Sequence, residues 1–340
     1  MIELKDDGLV FSFPGVHPSA RLTIDFQRTL RIPDDNKRYP LPPGLGSFPL
    51  QHVDDFSEQV PETWRAHGGV MLPMYQSEAL WIYFRAGYVA RRGVYPFAIK
   101  IAAGKINAVS GKAWMKPLSR AQQDYVVAPE QPWLDGFCVG KGMIRQFVAM
   151  PMGAGVTAEE QLTRKGEHGG LQIMACPMKR DVFEKRFPII EEAYGVRFSV
   201  AQPAPVCCET PDMGLAPGGR MKQEIYEDPF SLKDWDVAGA SRCFVHICNS
   251  QVWRQITGDN PPTVPPTAKE YSQAGLPWFE YYADGAKPIP GAKLLKKLKS
   301  VAGFKKPKGA LLPENEAVKT GKVIRLGAHG KTGQVREWRA

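Results

Sequence analysis

The sequence has little of the long apolar runs that mark membrane spans and signal peptides. No apolar run in its 340 residues approaches the roughly 18 residues that a membrane-spanning helix needs. Its first residues, MIELKDDGLVF, carry acidic side chains where a signal peptide would be positively charged, and no apolar stretch follows them. We therefore expect a cytoplasmic protein without a transmembrane segment.

The cysteines are not spaced as in a secreted disulfide scaffold. The six cysteines contain no C-x-x-C pair, although two of them are adjacent. They are Cys138, Cys176, Cys207, Cys208, Cys243 and Cys248. We expect reduced thiols.

The chain also lacks the short motifs of the common nucleotide-binding and glycosidase folds. Residues 104–112 and 215–225 match neither the Walker spacing nor G-x-G-x-x-G. In QPWLDGF, residues 131–137, no second acid pairs with Asp135 at a fixed spacing, so paired-carboxylate chemistry is not supported. Asp-Gly is a common turn pair, so we interpret the stretch as structural. A functional version would make Asp135 a carboxylate beside an aromatic wall that includes Trp133.

What the chain does have is apolar residues cut into short pieces. Hydrophobic residues make up 43% of it and aromatic residues 10%, while 30 prolines and 33 glycines favour strands and turns over long helices. No regular alternation of strand and helix patterns indicates a doubly wound parallel sheet. We predict a strand-rich α+β fold, a large antiparallel β-sandwich or bent sheet decorated by short helices.

Several local patterns predict particular elements. Residues 21–32, RLTIDFQRTLRI, alternate apolar and polar side chains as a half-buried strand does. Residues 97–111 are typical of a hairpin that turns at Gly104. Helices are predicted after three capping positions: Thr157 with Glu160, Thr267 with Glu270, and Asn249 or Ser250.

The positive charge is concentrated at the C-terminal end. The net charge is +9, and residues 285–340 hold 14 lysines and arginines against three acidic residues, which leaves residues 1–284 close to neutral. We predict a globular body over residues 1–284, with a possible internal boundary at 201–219, and a basic tail over residues 285–340. In the tail, residues 291–303 have the pattern of a short amphipathic helix, and its apolar stripe is Leu294, Leu295, Leu298 and Val301. About three turns are marginal in isolation, so docking on the body is favoured over binding to an anionic partner.

The segment CFVHIC, residues 243–248, holds the densest group of potential metal ligands or nucleophiles. Strand alternation places His246 and Cys248 on one face, so they could bind one metal ion if Cys207 and Cys208 complete the site. The same two residues could form a catalytic thiol–imidazole pair. Free cysteine is among the most buried residue types, so an interior strand is the favoured interpretation.

Two weaker candidates lie elsewhere in the body. His168 and Glu167 precede a double glycine and could act as a general base and its neighbour, although a solvated turn is the commoner use. Around the glycines of LAPGGRMKQEI, backbone N–H groups and outward-pointing cations could bind an anion. The anion-binding candidates are Gly218, Gly219, Arg220 and Lys222, together with Lys296 and Lys297 of the tail.

Four runs, YPLPPGLGSFPL, IRQFVAMPMGAG, LAPGGRMKQEI and SRCFVHICNSQVW, resemble a family of uncharacterised proteins from bacteria and fungi. The resemblance spans residues 1 to about 300. It implies a globular cytoplasmic protein, and because the family has no assigned activity it assigns no catalytic residue.

No motif reaches a specific catalytic pattern, so the leading hypothesis is a cytoplasmic binding or assembly protein without catalysis and without a cofactor. Exposed proline–aromatic loops such as PPGLGSFPL and GLPWFEYY suit contact with a protein partner or a second copy of the chain. The alternative is a hydrolase-like or metal-assisted enzyme that uses His246 and Cys248 or His168. A third hypothesis is that the basic tail binds nucleic acid or another anionic surface.

Overall fold

The computed structural model of the protein describes residues 1–35, 37–189, 213–265, 267–283, 285–304, 318 and 320–327. Twenty strands lie in this part of the chain. In chain order they are β1 (Ile2–Lys5), β2 (Gly8–Ser12), β3 (Arg21–Thr29), β4 (Arg38–Tyr39), β5 (Gln51–His52), β6 (Val70–Pro73), β7 (Ala79–Ala86), β8 (Tyr88–Val89), β9 (Gly93–Val94), β10 (Phe97–Ala103), β11 (Ile106–Asn107), β12 (Val126–Ala128), β13 (Trp133–Leu134), β14 (Gly136–Gly140), β15 (Met143–Pro151), β16 (Leu171–Pro177), β17 (Met213–Met221), β18 (Ser241–Cys248), β19 (Trp278–Tyr282) and β20 (Val323–Gly327).

Short helices connect or flank these strands. The α-helices of the described residues are α1 (Glu62–His67), α2 (Ala158–Thr163), α3 (Arg180–Arg186), α4 (Ser250–Thr257), α5 (Ala268–Gln273) and α6 (Lys293–Lys296). Single 3-10 turns lie at Asp54–Phe56, Leu232–Asp234 and Val301–Gly303. Across the described ranges, no helix has the length and apolar character needed to cross a membrane.

Two large sheets organise the strands. The first has nine strands, in the order β1-β2-β3-β7-β15-β17-β4, with β13 paired to β7 and β14 paired to β15. The second has seven, in the order β11-β10-β16-β18-β6-β5, with β12 paired to β10. Two small sheets, β19–β20 and β8–β9, complete the set. The predicted strand-rich α+β fold is confirmed.

Among the described strands, three pairs depart from the expected antiparallel arrangement. The pairs β17–β4, β18–β6 and β19–β20 run parallel. Parallel partners need a long crossover connection, and the two strands of each pair are far apart in the chain. Whether the two strands of a pair run parallel or antiparallel is therefore set by long-range packing. The alternation of apolar and polar residues within one strand does not indicate it.

The two large sheets share one hydrophobic core. Leu22 and Phe26 of β3 in the first sheet, and Ile99 and Ile101 of β10 in the second, are fully buried in the same cluster. Removal of this apolar surface from water is the main force that holds the sheets together.

The strand predicted over residues 21–32 is β3, which ends at Thr29. Arg28 interrupts its apolar face, and the structure buries this cation with its Nε 3.4 Å from Oε1 of the buried Glu78. On the same strand Asp25 is buried and accepts two hydrogen bonds from Arg85, at 2.8 and 2.9 Å. Both charges are thus compensated, as burial requires.

The predicted hairpin and helix starts are also present. Gly104 joins β10 to β11 with φ of +56°, a conformation that glycine adopts readily. Thr157 and Thr267 each form a capping box at the start of α2 and α5. Asn249 caps α4 by accepting from two backbone N–H groups, at 2.9 Å each.

The amphipathic helix predicted over residues 291–303 is shorter than expected. Only Lys293–Lys296 is α-helical, and a 3-10 turn follows at Val301–Gly303. Ala292 stands at the N-cap and offers no side-chain acceptor to the first turn. The apolar stripe thus forms one helical turn and then an irregular segment.

The stripe itself lies against the body. Leu295, Leu298 and Val301 are buried, while Leu294 is 40% exposed. The backbone N–H of Ala292 donates to the Cys138 carbonyl of β14 at 2.9 Å. The division into a body and a tail stays a prediction; of the proposed boundary at 201–219, residues 213–219 belong to β17 and the rest lie outside the described residues.

Candidate functional site

An aromatic pocket of about 300 Å³ opens where the first sheet meets the small β19–β20 sheet. Its volume is at the lower end of the range for small-molecule sites, and apolar side chains dominate its walls. The residues of this aromatic pocket are Leu41, Pro42, Pro43, Gly44, Trp81, Tyr83, Trp133, Asp135, Phe279 and Leu326.

Strand alternation and strand pairing place three of the rings. Along β7, Trp81 and Tyr83 are half-buried on one face, while the residues between and beside them are buried on the other. The pairing of β13 with β7 sets Trp133 directly opposite Tyr83. The three rings therefore occupy one patch on one face of the sheet.

A proline-rich loop and β19 supply the opposite wall. Leu41 and Phe279 exchange two backbone hydrogen bonds of 2.8 Å, which fixes β19 beside the loop. Pro42 and Pro43 restrict the backbone of the loop, and a Cβ on Gly44 would lie 2.9 Å from Cζ2 of the Trp81 indole. The lack of a side chain at residue 44 thus lets the loop approach the indole closely.

The rings meet at steep angles. Trp81 and Trp133 have centroids 6.1 Å apart and planes inclined by 68°, and Trp81 and Tyr83 are 5.7 Å apart at 65°. The planes of these rings therefore form an angular corner, lined by Trp81, Tyr83 and Trp133, and not a flat stacking surface. A ligand in the corner meets more than one π-face, each of which carries negative electrostatic potential.

A buried carboxyl group belongs to the same pocket. Asp135 is only 2% exposed, and its Oδ2 accepts a hydrogen bond of 2.7 Å from Gln223 Nε2. Burial raises the pKa of Asp135 to about 7, although the Gln223 hydrogen bond acts in the opposite direction. Near neutral pH, the carboxyl is therefore divided between its protonated and ionised forms.

No lysine or arginine is among the described residues that line the aromatic pocket. The Trp81 indole N–H is buried, and no hydrogen-bond acceptor for it lies among those residues. The groups that a ligand can contact in the aromatic pocket are therefore aromatic π-faces and one carboxyl group. That combination matches a cationic group with apolar substituents.

The strand CFVHIC is β18, and both of its faces are covered. Cys243 lies in the main core, whereas Cys248 and Trp64 belong to a smaller cluster beneath α4. His246 stacks on Trp64 with centroids 4.6 Å apart, and its Nε2 lies 3.0 Å from the Gly68 carbonyl. Burial lowers the pKa of His246 to about 4, so the imidazole is neutral and Nε2 donates to that carbonyl.

The proposed metal ligands are only partly within the described residues. Cys207 and Cys208 lie outside them. Cys248 is fully buried with its Sγ 3.4 Å from the Leu72 carbonyl. Among the described residues, no group of three or more His, Cys, Asp and Glu side chains is arranged to hold a metal ion.

The candidates His168 and Glu167 point to different partners. Glu167 is exposed and pairs with Lys105 at 3.1 Å, which lowers the pKa of its carboxyl group. His168 Nδ1 lies 3.3 Å from Oε1 of the buried Glu159. Oε2 of Glu159 accepts the backbone N–H groups of His168 and Gly169, so this carboxylate also holds the turn in place.

The glycine pair expected to present N–H groups to an anion is buried inside β17. A Cβ on Gly218 would lie 2.5 Å from Val148 Cγ2, and one on Gly219 would lie 2.5 Å from the Pro33 carbonyl. These glycines therefore permit close packing within a sheet. The other anion-binding candidates, Arg220, Lys222, Lys296 and Lys297, lie on β17, directly after it, on α6 and directly after α6.

The sequence drew attention to part of the aromatic pocket. It singled out Trp133, Asp135 and the prolines of PPGLGSFPL, but it missed Trp81, Tyr83 and Gln223. The expectation that PPGLGSFPL and GLPWFEYY are exposed loops was wrong in part, because Phe48 and Trp278 are buried and most of the second segment is β19. The alternation in ALWIYFR was a usable signal, because it places two aromatic side chains on the face opposite the core. Nothing local linked Gln223 to Asp135, which lies 88 residues away.

Comparison with protein-family models, with curated proteins and with solved structures finds no match to this chain.

Proposed function

We propose that the protein is a cytoplasmic binding protein without catalysis of its own, and that its aromatic pocket binds an alkylated ammonium group. The observation that carries the proposal is the corner of inclined rings around Asp135. A cation such as trimethylammonium gains from the π-faces and from the carboxylate together. Such a group reaches the pocket either on a small molecule or on the methylated lysine of a protein partner.

The angle between the rings favours a cation over a sugar. A sugar ring stacks on one flat face, whereas Trp81 and Trp133 are inclined by 68°. A roughly spherical alkylammonium group contacts several inclined faces at once. The raised pKa of Asp135 also fits, because a bound cation would favour the ionised carboxylate and so replace the solvation that burial removed.

The proposal is tested with two probes of the same shape. Choline and its uncharged analogue 3,3-dimethylbutan-1-ol are titrated into the full chain by calorimetry. We expect choline to bind at least tenfold more tightly, since a desolvated cation–π contact contributes about 2 kcal/mol. Equal affinities, or no choline binding at millimolar concentration, would contradict the proposal.

Matched variants locate the binding. Trp133→Leu removes one wall of the aromatic pocket, and Trp114→Leu removes an indole that lies outside it. We expect the first to weaken choline binding about tenfold and the second to leave it unchanged. A trimethyllysine peptide, compared with its unmethylated form, then distinguishes a protein partner from a small ligand.

An enzyme that uses His168 is the second candidate function, and the pairing of His168 with Glu159 favours it. Nδ1 of His168 lies 3.3 Å from Oε1 of Glu159, and a carboxylate on that side of an imidazole is an arrangement found in many general bases. His168→Gln should abolish a hydrolase-like activity if one exists and leave choline binding intact. Loss of choline binding in that variant would show that the two sites are not separate.

A further inference from the structure

A basic cleft of about 600 Å³ lies beside the end of β17. The residues of this basic cleft are Lys37, Arg38, Tyr39, Pro40, Lys222, Glu280, Val318, Thr320 and Val323. We propose that this basic cleft is a second binding site, which takes the phosphate group of a small organic phosphate.

Strand pairing brings the cations of the basic cleft together from distant parts of the chain. The parallel pairing of β4 with β17 joins the Lys222 backbone N–H to the Tyr39 carbonyl at 2.9 Å. Arg38, next to Tyr39 in the sequence, is exposed. A guanidinium and an ammonium group thus lie on neighbouring segments, the combination that binds phosphate oxygens well.

Carboxylates position these cations without neutralising the basic cleft. Buried Glu280 accepts a hydrogen bond of 2.7 Å from Lys222 Nζ, and its other oxygen lies 3.6 Å from Arg325 Nε. Lys37 lies 3.3 Å from Asp35, whose carboxylate also accepts from the Tyr39 hydroxyl. Among the described residues, the lining together with Asp35 and Arg325 holds four cations and two carboxylates, so a positive potential remains for a ligand.

The walls and the volume limit the class of ligand. A space of about 600 Å³ is larger than an inorganic ion needs, and Pro40, Val318 and Val323 give it an aliphatic side. Among the described residues of the lining, Tyr39 is the one aromatic residue, and it is buried. Without an open aromatic face in these described walls, a stacked base gains little, so a phosphorylated aliphatic molecule fits better than a nucleotide.

The basic cleft and the aromatic pocket lie on opposite faces of the β19–β20 sheet. Adjacent residues of a strand point to opposite faces, and Phe279 lines the aromatic pocket while Glu280 lines the basic cleft. On β20, Leu326 and Val323 divide between the two sites in the same way. The second site is therefore a separate binding surface, and it does not depend on the proposed ammonium binding.

The test uses glycerol 3-phosphate, with glycerol as the uncharged control, titrated into the full chain by calorimetry at two salt concentrations. Arg38→Gln removes an exposed cation of the basic cleft, and Arg254→Gln removes an exposed arginine of α4 as the charge-matched control. We expect Arg38→Gln to weaken glycerol 3-phosphate binding about tenfold, Arg254→Gln to leave it unchanged, and higher salt to weaken it.

Four results would overturn this proposal. They are no saturable binding of glycerol 3-phosphate, equal binding of glycerol, an equal effect of both arginine variants, and tighter binding of a single-stranded oligonucleotide than of glycerol 3-phosphate. Trp133→Leu should leave phosphate binding unchanged. If choline does not bind, the glycerol 3-phosphate titration still tests the basic cleft. If glycerol 3-phosphate does not bind, the choline titration still tests the aromatic pocket.

Discussion

Gln223 holds Asp135 from two sides. Its Nε2 donates to Oδ2 of the carboxyl group at 2.7 Å, and its Oε1 accepts the Asp135 backbone N–H at 3.1 Å. One amide thereby fixes both the main chain and the side chain of the residue at the aromatic pocket. The carboxyl stays oriented although burial raises its pKa to about 7.

Binding of an alkylammonium probe should strengthen as pH rises through about 7. Below that pH the Asp135 carboxyl is protonated and offers no charge, and above it the carboxylate attracts the cation. At the limit in which only the ionised form binds, the Kd for choline falls by about tenfold per pH unit between pH 5 and 7.

Calorimetry at pH 5.5, 7.0 and 8.5 measures this dependence. Asp135→Asn keeps an acceptor for Gln223 and removes the titration, so its choline affinity should be weak and flat with pH. The same pH dependence in Asp135→Asn would show that another group is responsible.

Asp135 should lower the free energy of unfolding of the protein as the pH rises. Its pKa is about 7 in the folded state, against about 3.9 in an unfolded chain. The contribution of the neutral carboxyl is fully present below pH 4 and is lost as the pH rises toward 7, because the unfolded state ionises first. Once Asp135 is ionised in both the folded and the unfolded state, the free energy of unfolding is lower than at pH 4 by up to about 4 kcal/mol.

Urea unfolding of wild type and of Asp135→Asn measures the effect. The two proteins should have similar free energies of unfolding at pH 4, and the variant should be the more stable at pH 8. Buried Glu78 also has its pKa raised to about 7 by burial, but it is common to both proteins and cancels in the comparison.

Two adjacent leucines of the tail should differ sharply in their contribution to stability. Leu295 is fully buried, and Leu294 is 40% exposed. Leu295→Ala should lower the free energy of unfolding by about 2–4 kcal/mol, and Leu294→Ala by no more than about 0.5 kcal/mol. Thermal or urea unfolding of the two variants measures this difference. Equally small losses of stability in both would show that the segment is not docked on the body.

The buried cysteines should react slowly with thiol reagents in the native protein. Burial raises the pKa of Cys138, Cys176 and Cys243 to about 12, which leaves almost no thiolate at neutral pH. Site-resolved alkylation should label these three only after denaturation. Cys248 is the informative fourth site, since rapid labelling there would favour the thiol–imidazole enzyme.

Much of the fold could be predicted because the relevant signals are local. The period of two in β3 and the capping boxes of α2 and α5 each depend on residues within a few positions of one another. The tail helix was predicted too long, since an apolar stripe indicates which side is buried but does not indicate where the helix ends. The burial of the glycine pair in β17 was not predicted, because glycine itself does not indicate whether it lies inside a sheet or in a loop.

The candidate site was predictable only in fragments. An aromatic side chain beside a carboxyl was visible in QPWLDGF, and the prolines of the pocket wall were visible in PPGLGSFPL. The angle between Trp81 and Trp133 follows from the pairing of β7 with β13, which lie about 50 residues apart in the chain. The depth at which Asp135 is buried follows from the whole sheet packed around it.

The sequence by itself determined the strand-rich class, the starts of the helices and the uneven charge, because alternation, capping and composition act over a few residues. Only the tertiary structure decided which strands run parallel, which cations share the basic cleft and which rings surround one carboxyl group. Those choices depend on segments up to about 290 residues apart, such as β4 and β20. The contacts between such distant segments stabilise the fold only after the intervening chain has closed into a loop.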